Sequence, residues 1–254
     1  MSELIQAVYP GMMLPKGAVG WHRSAYHIDI DNAAELVKED VTYVQLAAQG
    51  TLKIDSSSSA DTTQIVYVRG IDANDKQIIE SKLLTGTTAV AVSATIWKYV
   101  ETAWLSANCA GTIILTDSSN TTILTITIGQ LSAYIVQHFT GEYTSYLTSL
   151  AFGAGGTMYD SVNLDLRWYP DDQSSDADMD DGYISIVQPV IHYNVVTDTT
   201  ATQSYAYATV QNPSPITFAQ PIRLPPGGWL SLFGTGEAAN NDVWAFMQGY
   251  DVLE

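Results

Sequence analysis

The densest set of side chains able to do chemistry in this sequence is an acidic segment between residues 171 and 181. Three of its aspartates alternate along the chain: Asp176, Asp178 and Asp180. Oxygens at alternating positions of a loop can converge on a calcium ion. The EF-hand pattern is not met, however, because Asp181 stands where glycine is needed and Val187 where a bidentate glutamate is needed. A solvated acidic loop is therefore the favoured interpretation, with calcium binding as the alternative.

The histidines are spread along the chain, at His22, His27, His138 and His192. No two of them have the spacing of a metal-binding pair. His138 and His192 fall within strand patterns, where hydrogen bonds to nearby hydroxyls are expected rather than metal ligation. The chain also lacks a nucleophile elbow, a phosphate-binding loop and a dinucleotide fingerprint. The sequence therefore predicts no metal site and no cofactor.

Neither Cys109 nor Asp165 is expected to be catalytic. Cys109 has no histidine near it to activate its thiol, and one cysteine allows no intrachain disulfide. It is expected to be a structural thiol. Asp165 lies in mid-strand among apolar residues, but no partner carboxylate is recognisable, so glycoside hydrolysis is the least favoured function. The sequence predicts no catalytic residue, and the protein is expected not to be an enzyme.

Hydroxyl and aromatic side chains take the place of charge in this chain. Only 15% of its 254 residues are charged, while it contains 15 Tyr and 6 Trp. That composition is typical of β-structure. Five tryptophans lie among apolar neighbours: Trp97, Trp104, Trp168, Trp229 and Trp244. We expect them to pack in the core, with a sugar-binding platform as the alternative.

The net charge is −17, with 27 acidic and 10 basic side chains. So few Lys and Arg disfavour binding to nucleic acid, since phosphate contacts depend on cations, and binding to anionic membranes for the same reason. Residues Met1–Pro10 lack a basic start followed by an apolar core, which predicts no signal peptide. No apolar run approaches the ~20 residues that span a bilayer. The protein is expected to be made in a cytoplasm.

Strand signals recur from residue 41 onward at spacings of roughly 8–12 residues, as in β-sandwiches and jelly rolls. Alternating β–α segments are missing, which disfavours parallel sheets. The sequence therefore predicts an all-β fold with two antiparallel domains. We expect an irregular N-terminal arm over residues 1–40, a β-sandwich over 41–131 and a jelly-roll-like domain over 132–254.

Two local features depart from the strand pattern. Asp31 and Asn32 precede the segment 33–39, and this arrangement predicts two turns of capped helix. The segment 151–157, rich in glycine and alanine, is expected to be a loop between two strands.

One stretch resembles a segment of virion structural proteins from tailed bacteriophages. Residues 66–80 contain a strand, a Gly-x-Asp turn and a strand with a glutamate. They are followed by a Leu-x-Gly-Thr-Thr-x-Val run over 84–90 and an aromatic strand over 96–100. Residues 143–150 resemble the first strand of the C-terminal sandwich of those proteins. Residues 218–228 and 243–250 resemble its closing strands. The resemblance extends from Gln64 to the C-terminus.

This resemblance implies a non-enzymatic protein on the virion, located at the capsid surface and assembled in the host cytoplasm. The expected role is to decorate or cement the head, with the major capsid protein and further copies of itself, as a homotrimer, as partners. Apolar strand faces buried in such a trimer would stabilise a chain that has no disulfide. A tail or fibre component and a carbohydrate-binding, receptor-binding β-sandwich protein are the alternatives.

Overall fold

A computed structural model describes residues 14–15, 17–30, 33–38, 42–133, 135–155, 160–170, 184–187, 190–193, 214–236 and 241–253. Side chains within that set are not described at 27–29, 154–155, 160–161, 187, 190–193, 214–215 and 241. The acidic segment 171–181, with its candidate calcium ligands, lies outside the described residues.

The described residues form strands and no helix, which confirms the predicted all-β class. The strands are β1 (Val19–Ile30), β2 (Glu35–Leu36), β3 (Lys53–Ser56), β4 (Ile65–Asp72), β5 (Gln77–Leu83), β6 (Val90–Ala91), β7 (Trp97–Leu105), β8 (Ile113–Thr116), β9 (Thr122–Ile126), β10 (Gln137–Phe139), β11 (Thr144–Gly155), β12 (Asp160–Tyr169), β13 (Ile184–Val187), β14 (Val190–Tyr193), β15 (Ser214–Leu224), β16 (Trp229–Gly236) and β17 (Asn241–Val252). None of the described residues belongs to a helix long and apolar enough to cross a membrane.

The middle of the chain builds two antiparallel sheets around one core, which we call the central cluster. The sheets have the orders β6-β3-β8-β9 and β5-β4-β7. Alternation along β4 places Val66 and Val68 in the core at 0% exposure, because successive residues of a strand point to opposite faces. Its strands join mostly through short turns. In the β8–β9 turn, Asp117 accepts hydrogen bonds from the backbone N–H groups of Ser119 and Thr121.

The two ends of the chain combine in a second core, which we call the terminal cluster. One of its sheets has the order β1-β17-β11-β15, and the other has β10-β16-β12-β13, with β14 beside β12 and β2 beside β16. Trp21 of β1 and Met247 of β17 are both buried there. The first long strand therefore pairs with the last, over a register from Val19↔Asp251 to Ile30↔Asn241.

The prediction of an irregular arm is wrong for residues 19–30, which form β1. The strand was missed because its inward side carries Arg23 between Trp21 and Ala25, and a charge at a core position breaks the apolar alternation. The proposed domain division near residue 131 and the jelly-roll connectivity stay predictions.

The helix expected over 33–39 is also wrong within the described residues 33–38. Leu36 pairs with Phe233 in β2, and Val37 N–H donates to Leu232 O at 2.9 Å. Two turns of helix are marginal by themselves. Burial of Val37 at 0% exposure favours the extended chain instead.

The loop expected over 151–157 is wrong for residues 151–155, which complete β11. The small residues of this segment allow neighbouring side chains to pack against its backbone. A Cβ on Gly153 would lie 2.0 Å from the Trp244 ring, so the indole lies directly against the backbone of β11. Gly153 is therefore required by the approach of a neighbouring side chain.

Candidate functional site

A group of buried polar side chains joins the central and terminal clusters. We call it the buried network, and its members are Arg23, Arg69, Gln77, Glu101, His138, Ser145 and Asp251. Glu101 of β7 lies at its centre with 1% of its surface exposed. Arg23 Nε donates to Glu101 Oε1 at 2.9 Å, and Arg23 Nη2 makes a second, short contact with the same oxygen. Arg69 Nε lies 2.8 Å from Oε2 as an ion pair.

His138 of β10 connects this ion cluster to the last strand. Its Nδ1 lies 3.1 Å from both Glu101 Oε1 and Arg23 Nη2. Its Nε2 lies 3.1 Å from both Ser145 Oγ and Asp251 Oδ1. The ring is fully buried and stacks on Trp21, with centroids 4.0 Å apart. These contacts fix the position of the imidazole on both edges and on one face.

Asp251 and Gln77 complete the network across the two clusters. Ser145 Oγ donates to Asp251 Oδ1. Gln77 Nε2 donates to Asp251 Oδ2 and to Phe139 O, both at 3.1 Å. Gln77 belongs to the edge strand of the central cluster, so its amide bridges that strand to both β10 and β17.

Both carboxylates of the network have lowered pKa values. Burial by itself raises the pKa of Glu101, but the charges of Arg23 and Arg69 and the contact with His138 more than offset it. The pKa of Asp251 is raised by burial and lowered more strongly by His138 and the Ser145 hydroxyl. Both groups are therefore anionic at neutral pH.

The connectivity of Ser145, His138 and Glu101 is that of a serine–histidine–acid triad, with 3.1 Å at each link. The surroundings differ from those of a nucleophile. Ser145 is 0% exposed, and its hydroxyl donates to the second carboxylate, Asp251. A substrate carbonyl has no access to this oxygen in the described structure. The geometry therefore supports a structural role for the network, since a group acting in acyl transfer must be reachable.

An aromatic ladder extends the same junction. Tyr99, Phe139, Trp229 and Tyr169 follow one another with ring centroids 4.9, 5.9 and 3.8 Å apart. Tyr99 comes from the central cluster and the other three rings from β10, β12 and β16. Stacked rings add about 0.5–1.5 kcal/mol each beyond the area they bury. Charge and stacking thus hold the two clusters together side by side.

A small cavity opens next to the buried network, between β1 and β7. Its volume is about 130 Å³. It is lined by His22, Arg23, Ser24, Thr102, Ser132, Ala133 and Ile135. Ligand pockets usually measure about 300–1,000 Å³. The space suits a few water molecules, each of which occupies about 30 Å³ in the liquid.

The residues singled out from sequence do not come together in one site. Asp165 accepts a hydrogen bond from Arg167 Nε at 2.8 Å, next to it on β12. Cys109 is buried, and its pKa is raised to about 11 by burial and then by Asp61. His22 is exposed on β1, while the side chains of His27 and His192 lie outside the described set. No group of three or more metal-ligating side chains occurs among the described residues.

The tryptophans divide into two groups. Trp97, Trp168 and Trp229 are core residues, at 0%, 5% and 2% exposure, as expected. Trp104 and Trp244 are only half-buried and lie on the outward faces of two different sheets.

Sequence reasoning found His138 as a partner of hydroxyls but missed the rest of the network. A signal was present, because Arg23 and Glu101 are strand charges whose second neighbours are apolar: Trp21 and Ala25 for the first, Tyr99 and Ala103 for the second. A buried charge needs a partner. Choosing that partner required the fold, since Arg23 and Glu101 are 78 residues apart.

The outward side of sheet β5-β4-β7 is apolar where the terminal cluster does not cover it. We call this surface the open face, and its members are Ile65, Tyr67, Ile79, Leu83 and Trp104. Ile79 and Leu83 are 54% and 51% exposed. Tyr67 and Trp104 are cross-strand partners whose rings stack at 5.3 Å. An exposed apolar surface of this kind marks an interaction site more often than single exposed side chains do.

A second aromatic surface covers the outward side of sheet β1-β17-β11-β15. We call it the aromatic stripe, and its members are Tyr26, Tyr146, Trp244, Phe246 and Tyr250, of which Tyr250 is buried. Tyr146 and Tyr250 stack at 4.9 Å, and Tyr26 OH donates to Asp242 at 3.0 Å. Tyr26 is 43% exposed.

Comparison with known proteins adds no assignment to this geometry: no protein-family model matches the chain, and no curated protein matches it significantly.

Proposed function

We propose that this chain is a non-enzymatic virion structural protein that decorates or cements the capsid of a tailed phage as a homo-oligomer, expected to be a homotrimer. The observation that carries the proposal is the open face. Its strands β4, β5 and β7 contain some of the segments whose sequence resembles phage virion proteins, and they present Ile79, Leu83 and the Tyr67–Trp104 pair to the outside. A decoration protein needs such a surface for the capsid.

The buried network supports the same proposal. A protein that staples capsid subunits must transmit force without opening at its own junction. Partnered buried charges and stacked rings give the two clusters a fixed relative position, because separating the clusters would leave buried charges without their partners. The closed environment of Ser145 favours this structural use over hydrolysis.

The test is cosedimentation of the purified protein with heads of the phage that were assembled without it. We expect saturable binding, which Trp104→Ser weakens at least ten-fold. Ile128→Ser, at a 58% exposed position outside the open face, is the control and should bind normally. The absence of binding to such heads would contradict the proposal, and gold labelling of whole virions would separate a head from a tail or fibre location.

Carbohydrate binding is the second candidate function, and the aromatic stripe favours it. The Trp244 ring packs against Gly153 and is only half-buried, so part of the indole is accessible to a ligand. The apolar face of a sugar ring can pack on such a surface.

A glycan array tests this candidate. Binding that disappears in Trp244→Ala and survives in Val44→Ala, which alters an exposed residue of the central cluster, would support it. An array without signal above background would dismiss it.

A further inference from the structure

The outer edge of β5 is an unusual feature of the central cluster. β5 is the edge strand of sheet β5-β4-β7, and none of its residues makes a backbone hydrogen bond on the side away from β4 within the described chain. Edge strands are usually protected by charge, proline or a bulge, because they are templates for pairing with another chain. β5 is seven residues long, has no proline, pairs with β4 without any register shift and exposes Ile79 and Leu83, and its two charges, Glu80 and Lys82, are of opposite sign.

The register with β4 shows which backbone groups are free. Leu84 N–H donates to Gln64 O at 3.0 Å, so this pair is a hydrogen-bonded one. Backbone groups alternate in direction along an antiparallel strand. Residues 78, 80 and 82 therefore direct their N–H and C=O groups at β4. Those of Ile79, Ser81 and Leu83 point outward.

We propose that two copies of this chain join by antiparallel pairing of β5 with β5 of the second copy, about a two-fold axis at Ser81. In this register Ser81 of one copy faces Ser81 of the second copy, and Ile79 faces Leu83 of the second copy. The outward N–H and C=O groups of these residues then make six backbone hydrogen bonds across the axis, by the alternation of an antiparallel ladder. The two three-stranded sheets become one six-stranded sheet with a continuous open face.

Charge complementarity selects this register. With the axis at Ser81, Glu80 faces Lys82 of the second copy, and the two-fold repeats the pair. An axis at Glu80 would place two glutamates opposite each other, and an axis at Lys82 two lysines. Opposite charges on facing strands are stabilising, whereas like charges are destabilising. Glu80 is otherwise bonded only to a hydroxyl, that of Thr95 at 2.9 Å, and Lys82 makes no ion pair among the described residues.

The overall charge of the chain does not oppose this contact, because little of it lies here. Residues 42–133 contain seven acidic and five basic side chains, a net −2 out of the −17 of the whole chain. A two-fold contact brings identical surfaces together, so a nearly neutral one meets the least repulsion. The inference goes beyond the proposed function and holds for a protein that never meets a capsid. A trimer formed through another surface is compatible with it, since two trimers joined at β5 make a hexamer.

Charge exchange tests the register. Glu80→Lys and Lys82→Glu should each weaken the pairing roughly ten-fold or more in Kd, because each turns two attractive pairs into two repulsive ones. The double variant Glu80→Lys/Lys82→Glu should restore it. Lys76→Glu, the same charge change in the turn before β5, is the control and should associate normally. Sedimentation equilibrium measures the Kd, and failure of the double variant to recover would overturn the register.

Cross-linking tests the axis without relying on charge. Hydrogen-bonded partners in an antiparallel ladder have Cα atoms about 5.5 Å apart, within the range of a disulfide. Ser81→Cys should therefore oxidise to a covalent dimer, while the native Cys109 is buried and remains reduced. Ser119→Cys, at an exposed turn position, is the control and should not cross-link. A wild-type chain that stays monomeric at high concentration, or equal cross-linking of both variants, would overturn the proposal.

Discussion

The two ends of one sheet surface, the outward side of β5-β4-β7, contrast sharply. At one end Arg69 and Gln77 enter the buried network beneath the terminal cluster. At the other end Leu83 lies in solvent, as does Ile79 on the edge strand opposite Arg69. Charged side chains are usually exposed and large apolar side chains are usually buried, so both a buried charge and an exposed apolar surface are informative. The first fixes the position of two parts of one chain, and the second is suited to joining different chains.

This contrast shows that the chemistry of an interface depends on whether the interface is permanent or forms only on assembly. A junction that forms once, during folding, can enclose charges because every partner is supplied by the same chain. A surface that is exposed before assembly must remain soluble, and on the open face hydroxyls such as that of Ser81 lie among the apolar residues.

The largest expected effect comes from breaking the network at its centre. Glu101→Gln leaves Arg23 and Arg69 buried without their anion and should reduce the free energy of unfolding by about 3–5 kcal/mol. Asp75→Asn is the control: it removes the partner of Lys98 in an ion pair whose aspartate is 51% exposed, and it should cost at most about 1 kcal/mol. Urea unfolding measures both. Equal losses would mean that the network does not stabilise the junction.

Acid should weaken the junction through the same carboxylates. The pKa values of Glu101 and Asp251 lie below their ordinary values of 4.5 and 3.8 in the folded chain, so the unfolded chain takes up protons first as the pH falls. Their stabilisation is complete above about pH 5 and is lost progressively below pH 4. The difference in urea midpoint between the wild type and Glu101→Gln should therefore be constant from pH 7 to 5 and then shrink as the pH falls further. A parallel fall in both proteins would assign the acid sensitivity elsewhere.

A smaller loss of stability is expected when the Ser145 hydroxyl of the triad-like arrangement is removed. Ser145→Ala removes one hydrogen bond to Asp251, which keeps His138 and Gln77 as partners. The loss should be about 1–2 kcal/mol in urea unfolding. Any hydrolytic activity of the wild type that vanished in this variant would contradict the structural role given to the network.

The smallest effect on stability is expected at the open face. Ile79→Thr and Leu83→Thr remove exposed apolar atoms and should change the free energy of unfolding of the monomer by less than about 0.5 kcal/mol. The measurement is urea unfolding at a protein concentration low enough to keep the chain monomeric. A loss of several kcal/mol would show that these side chains are packed within their own chain.

A structural feature of this chain is predictable from sequence when the residues that form it are close together along the chain. The β8–β9 hairpin was predictable because Asp117 and its turn partners are neighbours in sequence. The strand character of 19–30 was hidden, since a buried Arg23 looks like a surface residue until Glu101 is placed beside it. The helix prediction at 33–39 failed because Phe233 of β16, distant in sequence, is the partner of Leu36.

The candidate site was predictable only in part for the same reason. His138 could be recognised as a hydrogen-bonded strand residue, but its partners Glu101 and Asp251 are 37 and 113 residues away. The exposure of β5 is equally non-local, because whether an apolar strand lies at an edge depends on the order of strands in the sheet.

The central claim, that one end of this sheet joins chains while the other end locks one chain, is tested most directly by the molar mass of the purified protein. Sedimentation velocity over a range of concentrations should give an even multiple of the chain mass. Ser81→Pro, which removes an outward N–H without touching the ladder to β4, should halve that mass. A monomer, an odd multiple, or a mass unaffected by this substitution would contradict the account.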